Sequence, residues 1–225
     1  ATTFAPLRTS SKVSSRPIPL PAPVTITTLS LSFIFAVYAW SMGINKSERG
    51  AAALIVIDVQ VNVVSDAFKR DEIVGNMAIA VEKARKASIP VIWVRHSAED
   101  LPLNTDGWQI VPELVPAPGE EIIEKTFRST FEATNFEDVL AAKKISHLYI
   151  CGAETNNCVR HTSMAALERG YDVTLLADAH TTTGFEWNGF VVDAASTIDE
   201  QNTNFIEYQL PGRSADIKRV VEVWS

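Results

Sequence analysis

Hydrophobic positions along the chain fall into short runs separated by polar stretches. Ala52-Ala-Leu-Ile-Val-Ile-Asp58 is a continuous apolar run closed by an acid, the pattern of a strand buried on both faces. From Asp71 to Ser88 the apolar positions Ile73, Met77, Ala80, Val81 and Ala84 recur at spacings of three and four, which predicts an amphipathic helix. Pro90 punctuates it, and Val91-Ile-Trp-Val94 is the next strand. Residues 97–120 form a proline-marked loop containing Trp108, of a length associated with lids and binding walls. Further along, the pattern predicts a strand at 121–124, a helix at 135–144, a strand at 147–152 and a helix at 157–169. Gly170 stands where a helix C-terminal glycine belongs. Strands at 172–177 and at Asn204-Phe-Ile-Glu-Tyr208 complete the series.

This alternation predicts an α/β chain, a three-layer αβα sandwich around a mostly parallel, Rossmann-like sheet. Such sheets place their sites at the carboxyl ends of the strands. That rule directs attention to Asp58, His96, Lys125, Cys158 and Asp178.

The first fifty residues are of another kind. In this 225-residue chain of net charge −7, residues 1–50 hold five Lys and Arg against Glu48, so they carry +4 and the rest carries −11. An acidic body disfavours nucleic acid as a partner. Val24 to Ile44 runs 21 residues without a charge, long enough to cross a bilayer, but six Ser or Thr and one Gly dilute it. Residues 1–47 are therefore set apart as a targeting segment, an anchor or a non-native leader, and 51–225 as the domain. Membrane association is expected only through residues 24–44, and self-association is left open. Two cysteines form no disulfide scaffold or zinc pattern, which points to a reducing compartment, cytoplasmic or an organellar matrix. With 46% apolar and 21% charged residues, the chain is not of a disordered or low-complexity class.

Cys158 lies six residues past the strand-ending Gly152, at about the first turn of a helix. A helix N-terminus stabilises anions, so a thiol there is expected to ionise below its ordinary value, with backbone N–H groups nearby to hold an oxyanion. A small buried residue is the alternative, and mid-strand Cys151 fits that alternative well. A cysteine nucleophile needs a base or ion-pair partner. Asp58 is a candidate, or a simple turn residue; Lys125 is another, or a solvated edge charge. Among the histidines, His96 and His180 end strands and could face a cleft. His147, opening a strand on the far edge, and His161, along a helix, read as structural or solvated. No P-loop, GxGxxG, GxSxG or HExxH motif is present.

Taken together, Leu54-Ile-Val-Ile-Asp-Val-Gln60, Glu124-Lys125 with Phe127-Arg-Ser-Thr-Phe131, and Gly152-Ala-Glu-Thr-Asn-Asn-Cys158-Val resemble the isochorismatase-like cysteine hydrolases. The likeness runs from about Ala51 to the C-terminus. It implies a sheet of about six strands between helices. It also implies Cys158 as nucleophile, Asp58 as base, Lys125 as the cation beside both, and a cis Ala153–Glu154 peptide. The N–H groups of Glu154 and Cys158 would form the oxyanion hole. Trp108-Gln-Ile-Val-Pro-Glu-Leu114, Ala177-Asp-Ala-His-Thr-Thr182, and Thr203-Asn204 with Pro211-Gly-Arg213 resemble the streptothricin-hydrolase-like subgroup.

The resemblance thus implies hydrolysis of a C–N bond, amide or lactam, in a small molecule through a thioester. No cofactor and no metal are expected, because Val94-Arg-His-Ser97 offers one histidine without a partner at nicotinamidase spacing. Gln60, His96, Trp108, Phe131 and Asn157 are the expected substrate-binding residues. The competing expectation is a catalytically silent domain of this fold that binds a ligand or recruits a partner.

Overall fold

The structure is a computed structural model, and it describes residues 44–224. Strands β1 (Ala51–Ile57), β2 (Val91–His96), β3 (Glu121–Lys125), β4 (Ile145–Ala153), β5 (Asp172–Thr181) and β8 (Ala215–Lys218) form one six-stranded sheet in the order β3-β2-β1-β4-β5-β8. Every neighbouring pair in it is parallel. Helices α1 (Val61–Val64), α2 (Arg70–Lys86), α3 (Phe136–Ala142), α4 (Arg160–Arg169) and α5 (Ala194–Glu207) connect the strands. This is the predicted sandwich.

The apolar run of β1 is explained by its central place in the sheet. Successive side chains point to opposite faces, and Leu54 and Val56 enter one core with Met77, Ala80 and Val81 of α2. Ala53, Ile55 and Ile57 enter the other, with Phe136 and Leu140 of α3 and Ala166 and Leu167 of α4. From Ala53 to Ile57 both faces are dry, so none of these positions tolerates a polar residue until the strand ends at Asp58.

The segment at 204–208 is not a strand. Residues through Glu207 belong to α5, whose buried positions Ala194, Thr197, Ile198, Gln201 and Phe205 follow helical spacing. Asp193 caps it by accepting a hydrogen bond from the Ser196 N–H at 2.8 Å. The last strand is β8, Ala-Asp-Ile-Lys, which among the described residues pairs only with β5 and lacks the apolar run of a central strand. A hairpin of β6 (Phe185–Trp187) and β7 (Phe190–Val192) was also not anticipated. Its Asn188-Gly189 turn has both residues at positive φ, the strongest short hairpin signal a sequence can carry.

Most of the N-terminal segment set apart above, including residues 24–43, lies outside the described residues. Its last part is attached to the domain: the Ile44 N–H donates to the Arg169 carbonyl at 2.9 Å, and Lys46 pairs with Asp172 at 2.6 Å. Among the described residues no helix is long and apolar enough to cross a membrane.

Candidate active site

Three strand ends converge. Asp58 follows β1, Lys125 closes β3, and β4 runs through Gly152 and Ala153 into the turn that carries Cys158. Gly152 makes this convergence sterically feasible. Its φ is +128°, and a Cβ there would collide with the backbone of Ile57, so only glycine lets β4 approach the end of β1 this closely. Asp58 itself has φ +50°, and its N–H donates to the Val94 carbonyl at 3.0 Å.

The Lys125 ammonium lies 2.6 Å from Asp58 Oδ2 and donates to Cys158 Sγ at 3.2 Å and to the Phe127 carbonyl at 3.1 Å. Asp58 and Lys125 are 1% and 3% exposed, while Cys158 is half-buried and opens on a cavity of about 400 Å³. Lys125 is thus not a solvated edge charge. Neither Asp58 oxygen completes a hydrogen bond of good geometry, so the carboxylate keeps acceptor capacity beside the thiol.

Burial raises the Asp58 carboxyl above its ordinary range, with Lys125 and the Cys158 contact opposing the shift. Burial, aided by the neighbouring Asp58 carboxylate, likewise pushes the Cys158 thiol up to about 12 against the pull of Lys125. The expectation of a lowered thiol is therefore reversed in the resting protein. A helix end supplies only about half a unit charge, and here it competes with desolvation and a full negative charge.

The turn from Thr155 to Val159 is a single π-helical turn leading into α4. Its polar residues are tied to the carboxyl end of β5. Asn156 Oδ1 accepts from the Thr182 hydroxyl at 2.8 Å. Glu154 accepts from Asn157 Nδ2 at 2.6 Å and from the Thr183 hydroxyl at 3.4 Å.

Beneath them His180 is fully buried between Thr155 and Asn202, each 2.9 Å from one ring nitrogen. Asn202 Nδ2 donates to the Ala177 carbonyl, so its Oδ1 faces His180 Nε2. The proton is then on Nε2, and Nδ1 accepts from the Thr155 hydroxyl. Burial pulls this imidazole down to about 4, so it is neutral near pH 7. His180 therefore does not face the cleft, as its place at a strand end had suggested; it supports the turn from behind. The Ala153–Glu154 bond is cis.

The other expected residues divide. His96 and Asn157 line the cavity with Asp58, Glu154 and Cys158. His96 Nδ1 lies 3.4 Å from the Lys125 ammonium, and burial together with that cation lowers its pKa. Gln60, Trp108 and Phe131 do not line it. Gln60 is fully buried and clips backbone: its Oε1 accepts from the His96 N–H at 2.7 Å, and its Nε2 donates to the carbonyls of His96 and Trp108. The Trp108 ring is buried under Arg95, whose guanidinium stacks at 3.8 Å. Phe131 packs edge-on against Phe136 at 4.8 Å and under Arg169.

The cavity is instead completed by Asn62, Val63, Asp100, Leu101 and Arg128, which sequence reasoning missed. Arg128 was within reach, since it sits inside the Phe127–Phe131 motif. His147 lies on β4, an inner strand and not an edge one, donating to or accepting from Thr174 at 2.8 Å. Among the described residues no group of three His, Cys, Asp or Glu side chains could hold a metal ion.

A doubly wound parallel sheet with this group at its carboxyl ends has many counterparts. Residues 52–203 match the model of the isochorismatase domain, and the chain belongs to the isochorismatase family. A streptothricin hydrolase from Streptomyces noursei is 33% identical over 141 residues, 60% of this chain and 56% of that protein. An N-carbamoylsarcosine amidase from Arthrobacter sp is 40% identical over 73 residues, 32% of this chain and 28% of that protein. The chain spans about half the length of the curated streptothricin hydrolases it matches, 56% and 49%. A solved isochorismatase from Pseudomonas putida KT2440 superposes with a TM-score of 0.70 at 26% identity, covering 84% of this chain and 96% of its own. A cysteine hydrolase from Pseudomonas syringae pv. phaseolicola 1448A shares the fold, with a TM-score of 0.71 at 24% identity over 81% and 93% of the two chains.

Proposed function

We propose that this domain is a cysteine amidohydrolase that cleaves a C–N bond of a small molecule through a thioester on Cys158. The observation that carries the reading is a half-buried thiol facing a cavity, with a buried carboxylate and a buried ammonium both against it. The names of the relatives, a streptothricin hydrolase and an N-carbamoylsarcosine amidase, agree with it.

In this mechanism the resting state is thiol plus carboxylate. As the sulfur attacks the substrate carbonyl carbon, its proton passes to Asp58, whose raised proton affinity makes it a stronger base than an exposed carboxylate. The negative charge that leaves Asp58 moves to the sulfur and the carbonyl oxygen. Lys125 stabilises the sulfur side at 3.2 Å. The backbone N–H groups of Glu154 and Cys158 hold the oxyanion. When the tetrahedral intermediate collapses, the C–N bond breaks and protonated Asp58 gives its proton to the departing nitrogen. Asp58, again ionised, then takes a proton from water as that water attacks the thioester, which releases the acid and restores the thiol.

The test is a panel of small primary and secondary amides, with turnover and the intact mass of acid-quenched protein as readouts. Wild type is expected to turn over members of the panel and to show an acyl adduct on Cys158. Cys158→Ala should lose activity by about 10³-fold or more and show no adduct. An active Cys158→Ala variant would sink the mechanism. Absence of turnover and adduct in wild type, with a thiol that still alkylates, would favour the silent binding domain.

A further inference from the structure

The cavity at Cys158 adjoins a second one of about 560 Å³, and the two share Arg128 and Asn157. The outer cavity lies between the start of α4, the start of α5 and the β6–β7 hairpin, with Phe185 and Val192 as its apolar wall. The hairpin is held in shape by its two-residue turn and by pairing from Phe185↔Val192 to Trp187↔Phe190.

Charge sharpens the picture. The other cation of the outer cavity, Arg160, is committed to Glu200 and Gln201. Lys125, buried behind Cys158 and outside the lining of the inner cavity, is committed to Asp58. Arg128 is exposed, and among the described residues it has no carboxylate within ion-pairing distance and no hydrogen-bonded acceptor. Its backbone is nonetheless anchored on both sides. Phe127 accepts from Lys125, and the Thr130 N–H donates to the Thr162 hydroxyl at 3.0 Å. An unpartnered guanidinium on an anchored stretch of backbone, at the junction of two cavities, is a ready site for an anion.

We propose, resting on the amidohydrolase reading, that the substrate is an amide longer than the inner cavity. It carries an anionic group, a carboxylate in the simplest case, that pairs with Arg128, and it continues against Phe185 and Val192. The scissile carbonyl sits at Cys158, and the anion fixes which end enters. Asp58, Asp100 and Glu154 line the inner cavity, and with Asp58 paired to Lys125 it is Asp100 and Glu154 that disfavour an anion deeper in it.

Two alkylating probes of nearly equal shape test this: N-iodoacetylglycine and its neutral primary amide, N-iodoacetylglycinamide. In both, the Cys158 sulfur displaces iodide and forms the same S–C bond. The ratio of their rates therefore cancels the protonation state of the thiol. In this acidic surrounding an anionic probe without a local partner reacts more slowly than the neutral one. Wild type is expected to favour the acid by about 3- to 5-fold, the range of a solvent-facing ion pair. Arg128→Gln should bring the ratio to one or below, and Arg128→Lys should restore part of it.

N-iodoacetylphenylalanine should label faster than the glycine acid, and Phe185→Ala should remove that gain alone. A wild-type ratio of one or less, or a ratio unmoved by Arg128→Gln, overturns the anion site. Equal labelling by the two acids overturns the outer subsite. Labelling does not require turnover, so a preserved ratio in a protein that hydrolyses no amide would defeat the hydrolase reading and leave the anion site standing.

Discussion

Cys151 and Cys158 stand seven residues apart on the same stretch of chain, one inside strand β4 and the other in the turn beyond it. Both thiols are shifted upward by burial, so acidity does not separate them. Their neighbours do. Cys151 is fully buried among apolar side chains and offers its proton only to the Ile55 carbonyl at 3.7 Å. Cys158 faces a carboxylate that can accept a proton, an ammonium that can stabilise the charge left behind, and a cavity that can admit a substrate. In the proposed mechanism this thiol becomes a nucleophile during the encounter with substrate, not before it. The difference teaches that a proton acceptor within reach counts for more than a low resting pKa.

The sharpest way to break this comparison is to remove one charge of the buried pair. Lys125→Met leaves Asp58 without its cation and should cost about 3–5 kcal/mol in urea unfolding; Asp58→Asn strands Lys125 at a similar cost, and the double variant should recover most of it. The single variants should both slow Cys158. Iodoacetamide labelling at pH 7 is expected to fall in Asp58→Asn, which removes the proton acceptor, and in Lys125→Met, which removes the cation that stabilises charge on the sulfur. Labelling of Cys151 should follow global unfolding alone. Equal responses at both cysteines would erase the distinction drawn between them.

A smaller effect comes from the support behind the turn. His180 is neutral in the folded protein and ionises only near pH 4, against about 6.5 unfolded, so the unfolded chain binds more protons between those values. Its contribution is complete above pH 6.5 and is lost as pH falls toward 4. Between pH 7 and pH 5 it should amount to about 2 kcal/mol. Urea midpoints at the two pH values, compared with those of His180→Gln, isolate this share. An equal pH dependence in the variant would remove His180 from the account. If the role is one of positioning, His180→Gln should also lower kcat more than it raises KM.

The smallest expected effect concerns the sulfurs themselves. Cys151→Ala removes one buried atom from a packed core and should cost about 1 kcal/mol with turnover retained. Cys158→Ala should cost less, because its site already opens on a cavity, while abolishing turnover. Thermal melts and activity measured on the pair check the inversion: the residue that matters more to the fold matters less to the chemistry.

The parts legible in the sequence were those with a local physical signature. Continuous apolar runs marked strands buried on both faces, the acid after β1 marked the end of that strand, and Gly170 marked the end of α4. The α5 segment was misjudged because Asn204-Phe-Ile-Glu-Tyr208, seen alone, looks like a strand. Its helical register appears only over Ala194, Thr197, Ile198, Gln201 and Phe205. β8 escaped because an edge strand buries too little to need an apolar run. The hairpin is the exception, since Trp187-Asn188-Gly189-Phe190 carries its turn signal in the local sequence.

For the site, parallel-sheet geometry gathers strand ends and so brought Asp58, His96, Lys125, Cys158 and Asp178 into view, and the family resemblance narrowed these to Asp58, Lys125 and Cys158. Pocket walls had no such rule. Trp108 and Phe131 were chosen for aromatic character, yet apolar side chains on loops are as readily drawn under a guanidinium or into a core as toward a cleft. The sequence by itself determined the layers, the direction of the strands and the end of the sheet where chemistry gathers, since these follow from periodicity and chain handedness. Only the tertiary structure decided which charges meet, how far burial shifts their protons, and that Arg128 stands without a carboxylate partner between two cavities. Those properties depend on distances and desolvation among residues far apart in the chain, and no local pattern carries them.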